Sequence, residues 1–377
     1  MQRNFFLGLI LALTLLASLG REESFAQVSP PSALPPAPPS TATPTPPGVS
    51  TAPPNDVSVF YDGLAPYGDW LKIDRYGWVW RPRAVSVDWR PYTTGHWVFT
   101  DDYGWMWVAD EPWGWAPFHY GRWFWQDDGW CWVPGNVWGP AWVSWREGGG
   151  CIGWCPLPPA VVWREDVGLE FGSVRLDVIE HEHPCWSFVE DRFITEPVLR
   201  EHIIVAARNT TLIERTKEIT RLREVDGRII NESLSVRRVE RVTGHEIEHV
   251  RVHEVETIRD VRTPHPGDRE VTVFRKRINE NERITPRSES INRDINAEEI
   301  EHRQQRELAD LQTRQELERR SLEEHQRREI DDPPNGVTVE DLQKQHEVER
   351  RVQQEQRQRD IEIQKRWHER EQIHSRR

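Results

Sequence analysis

The sequence predicts a mainly β protein: a three-fold Trp-rich β-hairpin repeat, then a small α+β extension, then a long charged helical tail. Three observations carry this. Seventeen of the twenty tryptophans lie between Trp70 and Trp154. They recur in one phrase at a spacing of about twenty-six residues. From about Ile291 onward the chain is Glu, Gln and Arg with sparse Leu.

With 377 residues, 37% of them hydrophobic, and a formal net charge of −13, the chain has room for two or three segments of domain size, only part of them globular. Residues 1–26 have the features of a secretory signal: Arg3, an apolar run from Phe5 to Leu19, and Ser24-Phe25-Ala26 before Gln27. The run is short for a bilayer span, which favours cleavage over an uncleaved anchor. No Cys follows it and no later segment is apolar enough to cross a membrane, so the mature chain is expected to lack a transmembrane helix. Residues 27–56 are Pro, Ser, Thr and Ala with almost no charge, a composition that cannot bury a core and favours extended polyproline II. They are expected to be a disordered, stiff spacer.

Residues 57–160 carry the repeat. Each copy reads Trp, a short extended segment, a turn, then Trp-x-Trp: Trp70 to Trp78 and Trp80, Trp97 to Trp105 and Trp107, Trp123 to Trp130 and Trp132. The turns are Asp74-Arg75-Tyr76-Gly77, Asp101-Asp102-Tyr103-Gly104 and Gln126-Asp127-Asp128-Gly129. Asx residues with a final Gly suit a strand reversal, since Gly supplies the positive φ. Because side chains alternate along a strand, the two tryptophans of each Trp-x-Trp share a face, while Val79, Met106 and Cys131 point the other way. Three hairpins side by side would give a sheet tiled with indoles. The copies close with Trp89-Arg90-Pro91-Tyr92 and Trp115-Ala116-Pro117-Phe118, and the third drifts to Trp142-Val143-Ser144-Trp145.

This stretch resembles a bacterial exported Trp-rich domain family of unknown function. The resemblance rests on Tyr103-Gly104-Trp105-Met106-Trp107, Glu111-Pro112-Trp113-Gly114-Trp115-Ala116-Pro117, Val137-Trp138-Gly139-Pro140-Ala141-Trp142-Val143 and Gly153-Trp154-Cys155-Pro156-Leu157-Pro158-Pro159. A weaker likeness runs through Trp186-Ser187-Phe188-Val189 and Gly227-Arg228-Ile229-Ile230-Asn231, so that roughly residues 57 to 275 are covered. The resemblance implies export but no activity and no catalytic residues. Cys155 stands where such relatives carry Ala, which marks the cysteine chemistry as a local addition.

Residues 161–285 have fewer aromatics and more charge. Ser235 to Val242, with Val236, Val239 and Val242 on one stripe and Gly244 behind, reads as a short helix; Ile247–Val255 and Val271–Phe274 read as strands. Residues 286–377 alternate Glu and Arg three or four positions apart, which supports solvated helix, broken at Asp331-Asp332-Pro333-Pro334-Asn335-Gly336. Leu308, Leu311, Leu322 and Ile330 do not keep a heptad, so a single or loosely associating helix is favoured over a coiled coil or disorder.

Four cysteines in an exported chain, Cys131, Cys151, Cys155 and Cys185, are disulfide candidates with three connectivities that spacing cannot choose between. Cys151, Cys155, His181, His183 and Cys185 are weak zinc-ligand candidates, because their spacing fits no familiar module and a solvated polar strand explains the histidines equally well. No cofactor is expected. The acid pairs Asp101-Asp102 and Asp127-Asp128 would serve a glycosidase only if one were buried, and turn formation accounts for them. Asn209-Thr210-Thr211 fits a glycosylation sequon by chance, and no Gly-x-Ser-x-Gly elbow occurs. An enzyme is therefore the least favoured class.

The tryptophans either pack or bind. A buried Trp hides about 150 to 250 Å², and a small sheet poor in Leu and Ile needs that area. Exposed in a row, Trp78, Trp80, Trp105, Trp107, Trp113, Trp115, Trp130 and Trp132 would instead stack on sugar rings. The expectation is a non-enzymatic structural or interaction protein, periplasmic or extracellular and associated with the bacterial cell envelope. The alternative is glycan or peptidoglycan binding through exposed Trp platforms. A protein or wall-glycan partner and self-association through the tail are expected; nucleic acid is not, as the repeats lack a basic stripe.

Overall fold

The first three Trp phrases each fold into an antiparallel hairpin. In the computed structural model, which describes residues 58–375 except 183, 263, 264, 266, 279–296 and 335, a short helix α1 (Ser58–Leu64) leads into them. Residues 1–26, expected to be a secretory signal, and the proline-rich segment that follows lie outside the described residues. The hairpins are β1 (Gly68–Ile73) with β2 (Gly77–Pro82), β3 (Gly95–Thr100) with β4 (Gly104–Ala109), and β5 (Arg122–Gln126) with β6 (Gly129–Val133). A fourth, β7 (Val143–Gly148) with β8 (Cys151–Pro156), was not expected. Its signal was Gly148-Gly149-Gly150, between Trp145 and Trp154.

Every one of the four places an indole directly opposite another across the ladder: Trp70 on Trp80, Trp97 on Trp107, Trp123 on Trp132, and Trp145 on Trp154. Directly opposed side chains are the unit of sheet stabilisation, and aromatic pairs are among the better ones. Turn chemistry splits the hairpins into two kinds. The first two have three-residue loops closed by Gly77 and Gly104 at φ 74° and 64°, as the sequence predicts. The third has a two-residue loop, and there the positive φ falls on Asp127 (47°) and Asp128 (65°), not on Gly129. A two-residue loop needs both central residues at positive φ, a conformation that Asp tolerates better than most side chains. Gly149 and Gly150 meet the same demand in the fourth hairpin.

The hairpins do not lie side by side. The first and third share one sheet in the order β1-β2-β6-β5, joined through Trp80 and Trp132. The second extends through β14 (Arg228–Asn231) to β13 (Leu222–Val225), and the fourth is flanked by β11 (Ser187–Glu190) and β12 (Lys217–Glu218). Two close approaches explain the joins. At Gly104 a Cβ would stand 2.2 Å from the Asn231 carbonyl oxygen, and at Gly153 one would stand 2.3 Å from the Phe188 ring. Nor is the sheet tiled on one face only: Val79, Met106 and Cys131, on the opposite faces, are as buried as the indoles. A sheet covered on both sides reads as a continuous apolar run rather than an alternation.

Residues beyond 160 complete the same core. A small hairpin of β9 (Val162–Arg164) and β10 (Gly168–Glu170) precedes α2 (Leu176–Glu182) and α3 (Asn209–Arg215). Leu176, Phe188, Leu212, Ile229 and Phe274 join the cluster that holds the indoles. The expected short helix is α4 (Val236–Thr243), ended by Gly244 at φ 79°. The strand expected over 247–255 is confined to β15 (Arg251–Val255), which pairs in parallel with β16 (Glu270–Phe274).

The tail is two long helices, α5 (Ala297–Asp331) and α6 (Val339–Ser375). Pro333 and Pro334 stop the first, and Thr338 starts the second by accepting the Asp341 N–H at 3.1 Å. They run antiparallel, on a period of eleven rather than seven. Ile300, Leu311 and Leu322 are buried at that spacing, and Gln304, Gln315 and Gln326 donate to the carbonyls of His368, Arg357 and His346 at 3.3, 3.1 and 3.2 Å. Eleven residues in three turns is about 3.67 per turn, slightly above the relaxed 3.6, the repeat that goes with a right-handed rather than a left-handed supercoil. A search for heptads cannot find it. Helix makes up 37% and strand 27% of the described residues, so the β character belongs to the Trp-rich part. No helix among the described residues is long and apolar enough to cross a membrane.

Candidate interaction site

The indoles proposed as a stacking platform are almost all turned inward. Trp80, Trp105, Trp107 and Trp132 are fully buried, Trp113, Trp115 and Trp130 nearly so, and only Trp78 keeps a partly open face. Most of their ring contacts are edge to face or tilted: Trp107 lies 5.1 Å from Trp97, and Trp80 lies 5.0 Å from Trp113. Several spend their N–H on the backbone, Trp80 on Leu64, Trp105 on Leu234, Trp132 on Tyr120 and Trp154 on Tyr92. Such rings fix loop paths and cannot also lie flat on a sugar.

Two of the eight, Trp107 and Trp115, reach a cavity of about 300 Å³ between the second hairpin and β16. Glu111, His119, Arg262 and Thr272 also line it. Glu111 is positioned by Trp89, whose Nε1 donates to Oε1 at 3.1 Å; its Oε2 and the Nε1 of Trp107 are sealed from solvent with no partner at hydrogen-bonding geometry. Burial pushes the Glu111 carboxyl up to about 8, against the Trp89 bond, and pushes the His119 imidazole down to about 4. Near neutral pH both are uncharged, so the cavity offers two indole surfaces and neutral hydrogen-bonding groups, with the Arg262 guanidinium as the charged group of its lining.

Because the folded pKa of Glu111 lies above its ordinary value of 4.5, the folded state holds a proton that the unfolded chain has released. Stability is expected to fall as pH rises from about 4.5 toward 8, and Glu111→Gln is expected to flatten that slope. Denaturant midpoints across this range, wild type beside variant, check it; parallel curves would show that Glu111 titrates normally.

The other feature is the seat of the tail, which sequence reasoning missed. Arg366 forks onto the Asp128 carboxylate at 2.7 and 2.8 Å while Trp367 donates to the Asp128 carbonyl at 3.2 Å. Arg314 forks onto Asp88 at 3.1 Å twice, and holds that carboxyl below its usual range even though burial pushes it up. Arg208, almost wholly buried, bonds Glu329 at 2.9 Å and Glu349 at 3.4 Å, with Thr211 adding a bond to Glu349 at 3.0 Å. Small apolar patches complete the contact: Val87 with Leu311 and Ile363, and Val205 with Leu322. Between them Asp360, beside Asp88 and Glu318, is driven up to about 7, chiefly by burial. Thus the acid pairs act as turn tips that also grip other segments: Asp128 holds the tail, Asp101 lies 2.6 Å from His249, and Asp102 lies 2.9 Å from Arg228.

All four cysteines are buried, and no two are bonded in this structure. Cys131 accepts from Arg81 at 3.3 and 3.4 Å, Cys151 opens β8, and Cys155 touches Cys185. The side chains of His181 and His183 lie outside the described residues, and no cluster suited to a metal ion occurs among the described ones. Asn209 of the chance sequon is buried, with its amide nitrogen on Glu180 at 2.7 Å.

A family model described as a family of unknown function (DUF6600) matches residues 61–161, from within α1 to just past the fourth hairpin. The weaker likeness through residue 275 lies beyond that match. No curated protein and no solved structure matches the chain.

Proposed function

We propose that the chain is an exported, non-enzymatic protein of the cell envelope whose Trp-rich head is a structural and interaction module. We read its first three hairpins as copies of one unit. The observation that supports this reading is the burial of the indoles: rings used for packing make a stiff head and leave a charged exterior for contact with a partner. The tail strengthens it, because a polar helical hairpin that already docks on its own head by forked ion pairs presents the same chemistry on its outer side. The partner is a protein or a wall glycan, and a second copy of the chain through the tail is a further candidate. The test is co-sedimentation of the purified chain with cell wall and with envelope protein fractions, combined with Trp fluorescence during titration with soluble wall fragments. Capture by a protein fraction with no saturable quenching is expected.

One observation favours glycan binding as a second reading. The cavity beside Trp107 and Trp115 is also lined by Glu111, His119 and Thr272, a mix of indole surface and hydrogen-bonding side chains that suits a hydroxyl-rich ring. Saturable quenching that disappears in Trp115→Ala would decide for it.

A further inference from the structure

We infer that Cys155 and Cys185 form a disulfide bond, leaving Cys131 and Cys151 as thiols. This rests on the export reading only for where the bond forms in the cell.

The two sulfurs are in contact, with Sγ to Sγ 2.7 Å, and both side chains are sealed in the core at 0% and 1% exposure. The backbone brings them there from opposite sides. Cys155 sits near the end of β8, and Cys185 stands just ahead of β11, the strand paired with β8 through Trp154 and Ser187. The segment carrying Cys185 is held firmly: a buried Glu180 carboxylate accepts its backbone N–H at 2.7 Å and that of Trp186 at 2.9 Å, and Asn209 fastens the same carboxylate. No other pairing has this geometry. Cys151 and Cys155 are four residues apart on one strand, which separates them by about 13 Å. Cys131 lies on β6, in a different sheet, and its sulfur is occupied by the Arg81 guanidinium.

The oxidant is a dithiol–disulfide compound, small or protein-borne. One cysteine thiolate attacks a sulfur of that disulfide and expels a thiolate; the second cysteine then attacks the mixed disulfide and expels the other. Two electrons pass to the oxidant, and each cysteine gives up its thiol proton. With both sulfurs buried in the finished fold, this exchange takes place before β11 closes over β8. The bond closes a loop that contains β9, β10 and α2, and so ties the end of the fourth hairpin to the segment that completes its sheet.

The full chain, refolded in a glutathione redox buffer, then unfolded in denaturant without reductant and alkylated there, is expected to show two free thiols, on Cys131 and Cys151, and to yield on digestion one linked pair of peptides containing Cys155 and Cys185. The bond is expected to resist dithiothreitol in the native protein and to open in denaturant. Its reduction lowers Tm by on the order of 10 °C, a shift absent from Cys155→Ser and from Cys185→Ser and retained in Cys131→Ser. If one of the serine variants fails to fold, the peptide map of the wild type decides alone. Four alkylated cysteines after oxidative refolding, or a linked pair that includes Cys131 or Cys151, would overturn the inference. Cell fractionation tests export separately: a chain found in the cytoplasm whose bond nevertheless forms in the glutathione buffer refutes export and leaves the pairing intact.

Discussion

Arg208→Ala is expected to destabilise the protein by about 3–5 kcal/mol, because it leaves the buried Glu349 carboxylate without its ion-pair partner and Glu329 with only the weaker Arg215 contact. The side chains of Arg208, Glu329 and Glu349 are 3%, 10% and 2% exposed, so water cannot take over the lost role. Burial alone would raise the Glu329 carboxyl, and Arg208 with its neighbours reverses that. Arg215, 3.2 Å from Glu329 and itself partly exposed, compensates only weakly. The damage falls first on the tail, since Glu329 and Glu349 belong to α5 and α6 while Arg208 belongs to the head. Limited proteolysis is therefore expected to cut within 297–375 of the variant well before it cuts the head. The triple change Arg208→Met, Glu329→Gln and Glu349→Gln is expected to recover most of the loss, as no net charge remains buried. If Arg208→Ala digests like wild type, the ion network does not hold the tail.

Trp97→Ala is expected to cost about 3–5 kcal/mol, the range for emptying a large aromatic site in a packed core. Trp97 is 2% exposed and touches Tyr92, Trp107, Trp145 and Trp154, so it joins the second hairpin to the fourth across a sheet boundary. Its N–H has no hydrogen-bond partner, which makes the loss one of packing and of water exclusion rather than of a bond. Trp97→Phe keeps an aromatic ring and is expected to lose less. Trp78→Ala is the contrast: the ring is partly open to solvent, so the cost is expected to be below about 1 kcal/mol. Urea unfolding followed by near-ultraviolet circular dichroism measures all three. Equal losses at Trp97 and Trp78 would mean that the indoles do not form one packed cluster.

The hairpins were legible because their signal is local. A Trp, a turn rich in Asp and Gly, and a Trp-x-Trp fix strand, reversal and register within ten or eleven residues. The helix ended by Gly244 and the break at Pro333-Pro334 were legible for the same reason. The Gly148-Gly149-Gly150 turn is equally local, but it lies where the repeat phrase drifts, with Gly in place of the Asp that marks the other turns. The tail period is not visible as a heptad because its apolar residues, Ile300, Leu311 and Leu322, stand eleven apart, and glutamines fill the buried positions between them. The Arg208 network left no local mark at all, its members lying more than a hundred residues apart in the chain.

By itself, then, the sequence determined which residues pair with near neighbours: strand periods, turn residues and helix stops are set by backbone sterics and short-range hydrogen bonds. The tertiary structure alone decided which hairpins share a sheet, which indoles face inward, that two thiols meet and where the tail rests. Those outcomes depend on packing and on burial of charge between segments far apart in the chain. Short-range patterns impose no constraint on either.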